Sequence, residues 1–157
     1  MLNLTEYQRE RLELIEHKLK FFTEKPLVAC INGLLDLNST CLYLDELITL
    51  AGGRNVAFTK GQDVMANLVE QDPDIIVIAP TSGPAMAVMG MMPTLLQQSG
   101  FGGVKAVKNN RIYIIETEFF NGDGLDQVDK VELLAEIIYP KQFIFGYEGQ
   151  GWIKFGV

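Results

Sequence analysis

Glu70-Gln71-Asp72-Pro73-Asp74-Ile75-Ile76-Val77-Ile78-Ala79-Pro80-Thr81-Ser82-Gly83-Pro84 is the stretch that decides the fold. Its centre, residues 75–79, is a continuous apolar run of strand length, the pattern of a strand covered on both faces. Before it, Asp72-Pro73-Asp74 stops a helical segment in which Val64, Leu68 and Val69 face inward. After it, Ser82-Gly83 leads to Pro84, where the first turn of a helix tolerates proline. Helix, buried strand, polar loop and helix in that order form the repeating unit of a parallel sheet with right-handed crossovers.

The same pattern recurs outward in both directions. Residues 26–31 form another apolar run, followed by a polar, glycine-containing loop over 32–39 and a helix over 40–50 that Gly52-Gly53 ends. A short extended piece at 55–58 precedes Thr59-Lys60-Gly61-Gln62, a capping box for the helix that stops at Asp72. Downstream, Gly100–Gly103 break the chain and an Asn109-Asn110 turn introduces a third strand over 111–115. A loop over 116–125 leads to a last helix with Val128, Val131, Leu134 and Ile138 on one face, stopped by Pro140. Residues 141–157 are rich in glycine and aromatics and show no period. The expected fold is α/β, a Rossmann-like three-layer lobe with a parallel sheet, preceded by a long N-terminal helix. The segments are 1–24 (helix), 25–143 (lobe) and 144–157 (tail).

That first helix opens on the capping box Thr5-Glu6-Tyr7-Gln8 and is predicted to run to about Thr23. Leu4, Leu12, Ile15, Leu19 and Phe22 share one face at helical period. Tyr7, Leu14 and Phe21 form a second, thinner stripe that packing on one side does not require. Either these are scattered surface apolars or the helix touches a partner outside the chain.

The 157 residues suit one domain, with 48% hydrophobic and 21% charged residues. A net charge of −7 without a long basic tract argues against nucleic acid or an anionic membrane as partner. Cys30 and Cys41 fall outside any Cys-x-x-Cys pattern and read as buried small hydrophobes, with no disulfide framework indicated. The N-terminal residues lack a basic segment followed by an apolar one, so no signal peptide is visible, and a cytoplasmic location stays open on this reading. The longest apolar-rich run, residues 85–92, is far short of the ~20 residues of a membrane span.

The inventory of reactive groups is thin. His17, the single histidine, lies on the charged first helix among Glu13, Glu16, Lys18 and Lys20, where a solvated role outweighs a catalytic one. With no clustered cysteines, a zinc site of ordinary ligand type is not expected. Neither Gly52-Gly53 nor the glycines at 100–103 fit a phosphate-binding fingerprint. Ser82 follows a strand but lacks the frame of a nucleophile elbow. Asp123, Asp126 and Asp129 lack the glutamate that would complete a calcium loop. No enzyme chemistry is expected.

In open α/β sheets a ligand sits beyond the carboxyl ends of the strands. Here that edge carries Asn32, Gly33, Leu34, Asn38, Thr81, Ser82, Met86, Glu116, Phe119, Phe120 and Asn121, the candidate binding residues. Their mostly uncharged and apolar character suits a large, flat, partly apolar ligand. Glu116 either meets a cationic group or keeps its loop solvated.

Four phrases carry a resemblance over about residues 5–143. Leu44-Asp45-Glu46-Leu47-Ile48-Thr49-Leu50-Ala51-Gly52-Gly53-Arg54-Asn55-Val56-Ala57 is the first. It is followed in order by Glu70-Gln71-Asp72-Pro73-Asp74-Ile75-Ile76-Val77-Ile78, by Lys105-Ala106-Val107-Lys108-Asn109-Asn110-Arg111-Ile112-Tyr113 and by Leu133-Leu134-Ala135-Glu136-Ile137-Ile138-Tyr139-Pro140-Lys141-Gln142-Phe143. Together they resemble the C-terminal lobe, with its linking helix, of the substrate-binding proteins of ABC importers for siderophores, haem and cobalamin. The resemblance implies a ligand held between two lobes, an iron or cobalt chelate as that ligand, no cofactor of the protein's own and a location outside the cytoplasm. It implies an ABC permease as partner, docked through an acidic residue for which Asp45 or Glu46 is the nearest match. Arg54 departs from the acidic residue that often follows the paired glycines. The other lobe has no counterpart here, so the missing half of the cleft belongs to another lobe or to a second copy in a homodimer. The rival expectation is a stand-alone lobe that associates with a protein partner through Tyr7, Leu14 and Phe21 and binds no chelate.

Overall fold

Thr5 starts the first helix by satisfying backbone N–H groups that have no partner within the helix. In the computed structural model, which describes residues 3–32, 44–58, 63–81 and 83–156, α1 spans Glu6–Leu19. The Thr5 hydroxyl accepts from Gln8 N at 3.2 Å, and Thr5 N donates back to the Gln8 side chain at 2.9 Å. The helix stops short of Thr23: the N–H groups of Lys20, Phe21 and Phe22 bond to the carbonyls three residues back, tightening the last turn before the chain enters the sheet. Leu12 and Ile15 are buried, and Leu4, Leu19 and Phe22 pack against the same core. Tyr7, Leu14 and Phe21 are exposed at 69%, 69% and 76%.

The sheet runs β2-β1-β3-β4-β5, where β1 is Leu27–Ile31, β2 Arg54–Asn55, β3 Ile75–Ile78, β4 Ile112–Ile115 and β5 Trp152–Phe155. The first four are parallel and β5 is antiparallel to β4. Because successive side chains point to opposite faces, each apolar run supplies two cores at once. Cys30, Ile75, Val77, Tyr113 and Ile115 face α1, α2 (Asp45–Leu50) and α8 (Gln127–Ile138). Ala29, Ile31, Ile76, Ile78, Ile112 and Ile114 face α3 (Val64–Gln71), α4 (Ala85–Met89), α5 (Met92–Leu96) and α6 (Lys105–Lys108). This is the three-layer α/β lobe that the alternating pattern implied.

Several local expectations change. Asp63 caps α3, accepting from Met65 N at 3.4 Å, while the capping box at 59–62 lies outside the described residues. Val69, placed inward by the sequence pattern, is 38% exposed. The stretch 116–125 is not all loop: α7 occupies Thr117–Asn121, with Phe120 N bonded to Glu116 O at 2.9 Å. Cys30 is buried as expected but is disulfide-bonded, which corrects the reading of this residue as a simple buried hydrophobe. The sequence holds one other cysteine, Cys41, which lies outside the described residues.

The chain end completes the sheet. Glu136 is 4% exposed on α8, and its carboxylate accepts from Phe145 N, from Gly146 N at 2.9 Å, from Tyr147 N at 3.1 Å and from the Trp152 indole at 2.8 Å. A buried carboxylate is tolerated only when its lone pairs are filled, and here the tail fills them. The turn held in this way delivers Trp152 to β5, where Ile115 pairs with Trp152 and Ile112 with Phe155.

Candidate ligand-binding edge

Parallel pairing lines up the carboxyl ends of β1, β3 and β4, and Ala79 N, bonded to Ile31 O at 2.8 Å, keeps the first two level. The segments leaving these ends therefore converge on one edge. Of the candidate residues, Gly33, Leu34, Asn38 and Ser82 lie outside the described residues. Asn32 is half-buried directly after β1, while Thr81 and Asn121 are exposed. Met86 is 68% exposed on α4, immediately after the first residue of that helix.

Glu116 is not a free surface charge. Both carboxylate oxygens accept from Ala85 N at 3.2 Å, so the residue after β4 holds the start of α4 and thereby places Met86. Phe119 is half-buried, with its ring 6.0 Å from that of Tyr147 and tucked against Gly151. The tail thus borders the edge, which the sequence did not reveal. Phe120 points inward instead: it is 2% exposed, lies in the core and has the Lys130 ammonium 5.3 Å from its ring centre. Beside it the Thr117 hydroxyl is buried without a hydrogen-bond partner, a polar group at this edge that no motif signalled.

Arg11 fixes α1 to the same side of the lobe. Its guanidinium reaches Asp126 at 3.2 Å and Asp129 at 2.6 Å at the start of α8, and Glu132 in the middle of that helix. Burial opposes the charge on Arg11, but bonds to Glu132 and Asp129 outweigh it and hold the guanidinium firmly protonated. Asp126 is likewise disfavoured by burial, yet the Asp129 backbone N–H, Gln8 and Arg11 keep its carboxyl below the usual range. Asp126 and Asp129 form the N-cap and capping box of α8 and the seat of this arginine. On α2, Asp45 is half-buried and burial pushes its carboxyl up, while Glu46 is exposed.

A hollow of about 840 Å³ lies at the opposite, amino edge of the sheet, lined by Lys25, Arg54, Asp74, Lys105 and Arg111 among others. Three of its cations have structural tasks. Arg54 donates to Lys25 O at 2.8 Å, Arg111 to Ile137 O and Ile138 O at the end of α8, and Lys105 pairs with Asp74 at 3.4 Å. It is an open recess at the edge away from the candidate binding residues. Among the described residues no group of three or more His, Cys, Asp or Glu side chains is placed to hold a metal ion, and no helix is long and apolar enough to cross a membrane.

No family model matches the sequence, and no curated protein matches it. Solved structures do. An ABC transporter substrate-binding protein from Listeria monocytogenes EGD-e is 21% identical with a TM-score of 0.66, covering 84% of this chain and 54% of its own. The S. aureus protein IsdE complexed with haem is 26% identical with a TM-score of 0.60, covering 83% and 54%. A periplasmic haem-binding protein from Pseudomonas aeruginosa is 23% identical with a TM-score of 0.61, covering 85% and 50%. The chain spans about half the length of the solved proteins it matches. Sheet order, edge and coverage agree: this chain has the fold of a single lobe of an ABC transporter substrate-binding protein.

Proposed function

We propose that the chain is a ligand-binding lobe of the substrate-binding component of an ABC importer for metal chelates of the haem, ferric-siderophore or corrinoid class. The observation that carries this reading is the match, over about half their length, to substrate-binding proteins that include two described with haem. Met86 and Phe119 at the carboxyl edge support it, because a polarisable thioether and an aromatic ring suit a flat macrocycle. Any metal would arrive inside its chelator, held by contacts to the organic shell. Thr81, Asn32 and Asn121 supply polar contacts at that edge, with Gly33, Leu34, Asn38 and Ser82 as further candidates. Phe120 acts from within the core by positioning Phe119.

Glu46 at the start of α2 is the exposed acidic group for docking on the permease, with Asp45 beside it. The disulfide at Cys30 supports an oxidising, extracytoplasmic location. The test is titration of the chain with haem, a corrinoid and a ferric siderophore, followed by absorbance and by quenching of Trp152. Saturable binding of one chelate, weakened at least tenfold by Met86→Glu with unchanged circular dichroism, supports the reading. Absence of binding by the chain both alone and paired with a complementary lobe overturns it.

A further inference from the structure

The exposed stripe on α1 runs along the lobe from one edge of the sheet to the other. Arg11, near its beginning, pairs with the start of α8 on the carboxyl-edge side. Leu19 and Phe22, near its end, meet Gly52 and Tyr139 on the amino-edge side. At roughly 200 Å² for each fully exposed side chain, Tyr7, Leu14 and Phe21 leave on the order of 400 Å² of side-chain surface in water. The three side chains stand along one face seven residues apart, with charged residues between them. The patch widens at one end, where Phe145 stacks on Phe143 with Lys18 over the Phe143 ring, and Ile144 is 80% exposed.

We propose that α1 pairs antiparallel with α1 of a second copy of this chain, about a two-fold axis at Leu14, so that Tyr7 of each copy meets Phe21 of the other. The stripe has the symmetry this needs: Tyr7 on α1 and Phe21 in the tightened turn that follows it lie seven residues on either side of Leu14. The charges match only in this direction. The exposed first half of the helix carries Glu6, Glu10 and Glu13 against Arg9, and the second half carries Lys18 and Lys20 against Glu16. Antiparallel pairing about Leu14 sets Glu10 directly opposite Lys18 of the second copy, twice, where it meets an ammonium already held at 3.3 Å by Gln142 O of its own chain, whereas parallel pairing sets like charge on like. Two copies bury about 800 Å² from the stripe alone, and the flanking charges with Ile144 and Phe145 bring this toward the ~1,200 Å² at the low end of specific interfaces.

A complementary lobe across the ligand does not cover this surface, since it would meet the carboxyl edge while Phe21 and Ile144 lie toward the amino edge. The inference therefore goes beyond the chelate-binding reading: the two ligand edges of the pair point in opposite directions and each stays free to bind. Sedimentation equilibrium tests it. The chain is expected at twice its 17.5 kDa mass at micromolar concentration, and Leu14→Glu at 17.5 kDa with unchanged circular dichroism and thermal midpoint. Glu10→Lys and Lys18→Glu should each weaken the pair about tenfold by replacing two attractions with two repulsions. An equimolar mixture of these two variants should restore the dimer. A parent chain that stays at 17.5 kDa to several hundred micromolar overturns the proposal, as does a dimer indifferent to Leu14→Glu. A dimer that Leu14→Glu breaks but the charge mixture fails to restore overturns the antiparallel register. Chelate titration of Leu14→Glu reads the ligand edge separately, so either idea can fail without the other.

Discussion

Replacing Glu136 by glutamine keeps the side chain's size and changes its chemistry only at the carboxylate. One carboxylate oxygen now accepts from Phe145 N and Gly146 N, the other from Tyr147 N and the Trp152 indole. In Glu136→Gln one of these pairs keeps an acceptor, while the other faces an NH₂ group that is itself a donor. Two hydrogen bonds to a charged acceptor are lost, at about 1.5–3 kcal/mol each, and relaxation of the exposed turn recovers part. The expected destabilisation is about 3–5 kcal/mol, a large share of the ~5–15 kcal/mol that holds an ordinary domain. It should fall first on residues 144–155, because β5 is an edge strand with a single neighbour. Trp152 is the chain's one tryptophan and is 3% exposed, so it reports on this step directly. In urea its emission should shift to the red at lower denaturant than the loss of helical circular dichroism, whereas in the parent chain the two coincide. If Glu136→Gln unfolds within ~1 kcal/mol of the parent and the two signals still coincide, the carboxylate does not hold the tail.

Arg11→Met removes the shared partner of Asp126, Asp129 and Glu132 and leaves three carboxylates together, so urea denaturation should show a loss of about 3 kcal/mol. Asp126 has a folded pKa below its unfolded value, so its contribution is complete above the usual carboxylate range and is lost as pH falls through the lower folded value. The stability difference between the parent and Asp126→Asn, followed by denaturation from pH 6 downward, should accordingly shrink toward zero in acid. Gly52→Ala places a Cβ 2.6 Å from Leu19 and 2.8 Å from Tyr139 at a φ of +94°, and strain and clash together should cost about 2–3 kcal/mol. Calorimetry should register this as a midpoint lower by roughly 4–10 °C. Reduction of the disulfide at Cys30 should lower stability by about 2–4 kcal/mol, seen as a lower thermal midpoint in dithiothreitol. An unchanged midpoint would show that the bond carries no stabilising constraint.

The spacing of apolar residues was sufficient for the fold class. Runs such as Ile75–Ile78 are apolar at every position because both faces of a central parallel strand are covered, and that pattern is local. The first cap was equally legible, since the Thr5 hydroxyl meets an N–H three residues away and four residues of sequence contain the whole interaction, whereas the Asp63 cap of α3 was not singled out. The carboxyl edge followed from strand direction, and with it the positions of Asn32, Thr81, Met86 and Glu116. Which of the edge residues face water did not follow. Phe119 and Phe120 are adjacent and alike in type, and only the packing of α7 on the core turns Phe120 inward and leaves Phe119 beside Tyr147.

Everything resting on contact between distant segments waited for the tertiary structure. Glu136 reads in sequence as one of several polar residues of an amphipathic helix, and its donors become evident only when the tail folds back across α8. The segment after Pro140 has no period because its hydrogen bonds go to Glu136 and to β4, partners that are not its sequence neighbours. Arg11 and its carboxylates are separated by more than a hundred residues and meet because both helices cover one face of the sheet. Periodicity records which face of an element is buried, and so the sequence by itself determined the layers. What each face is buried against is a property of long-range pairing, and only the three-dimensional arrangement decided it.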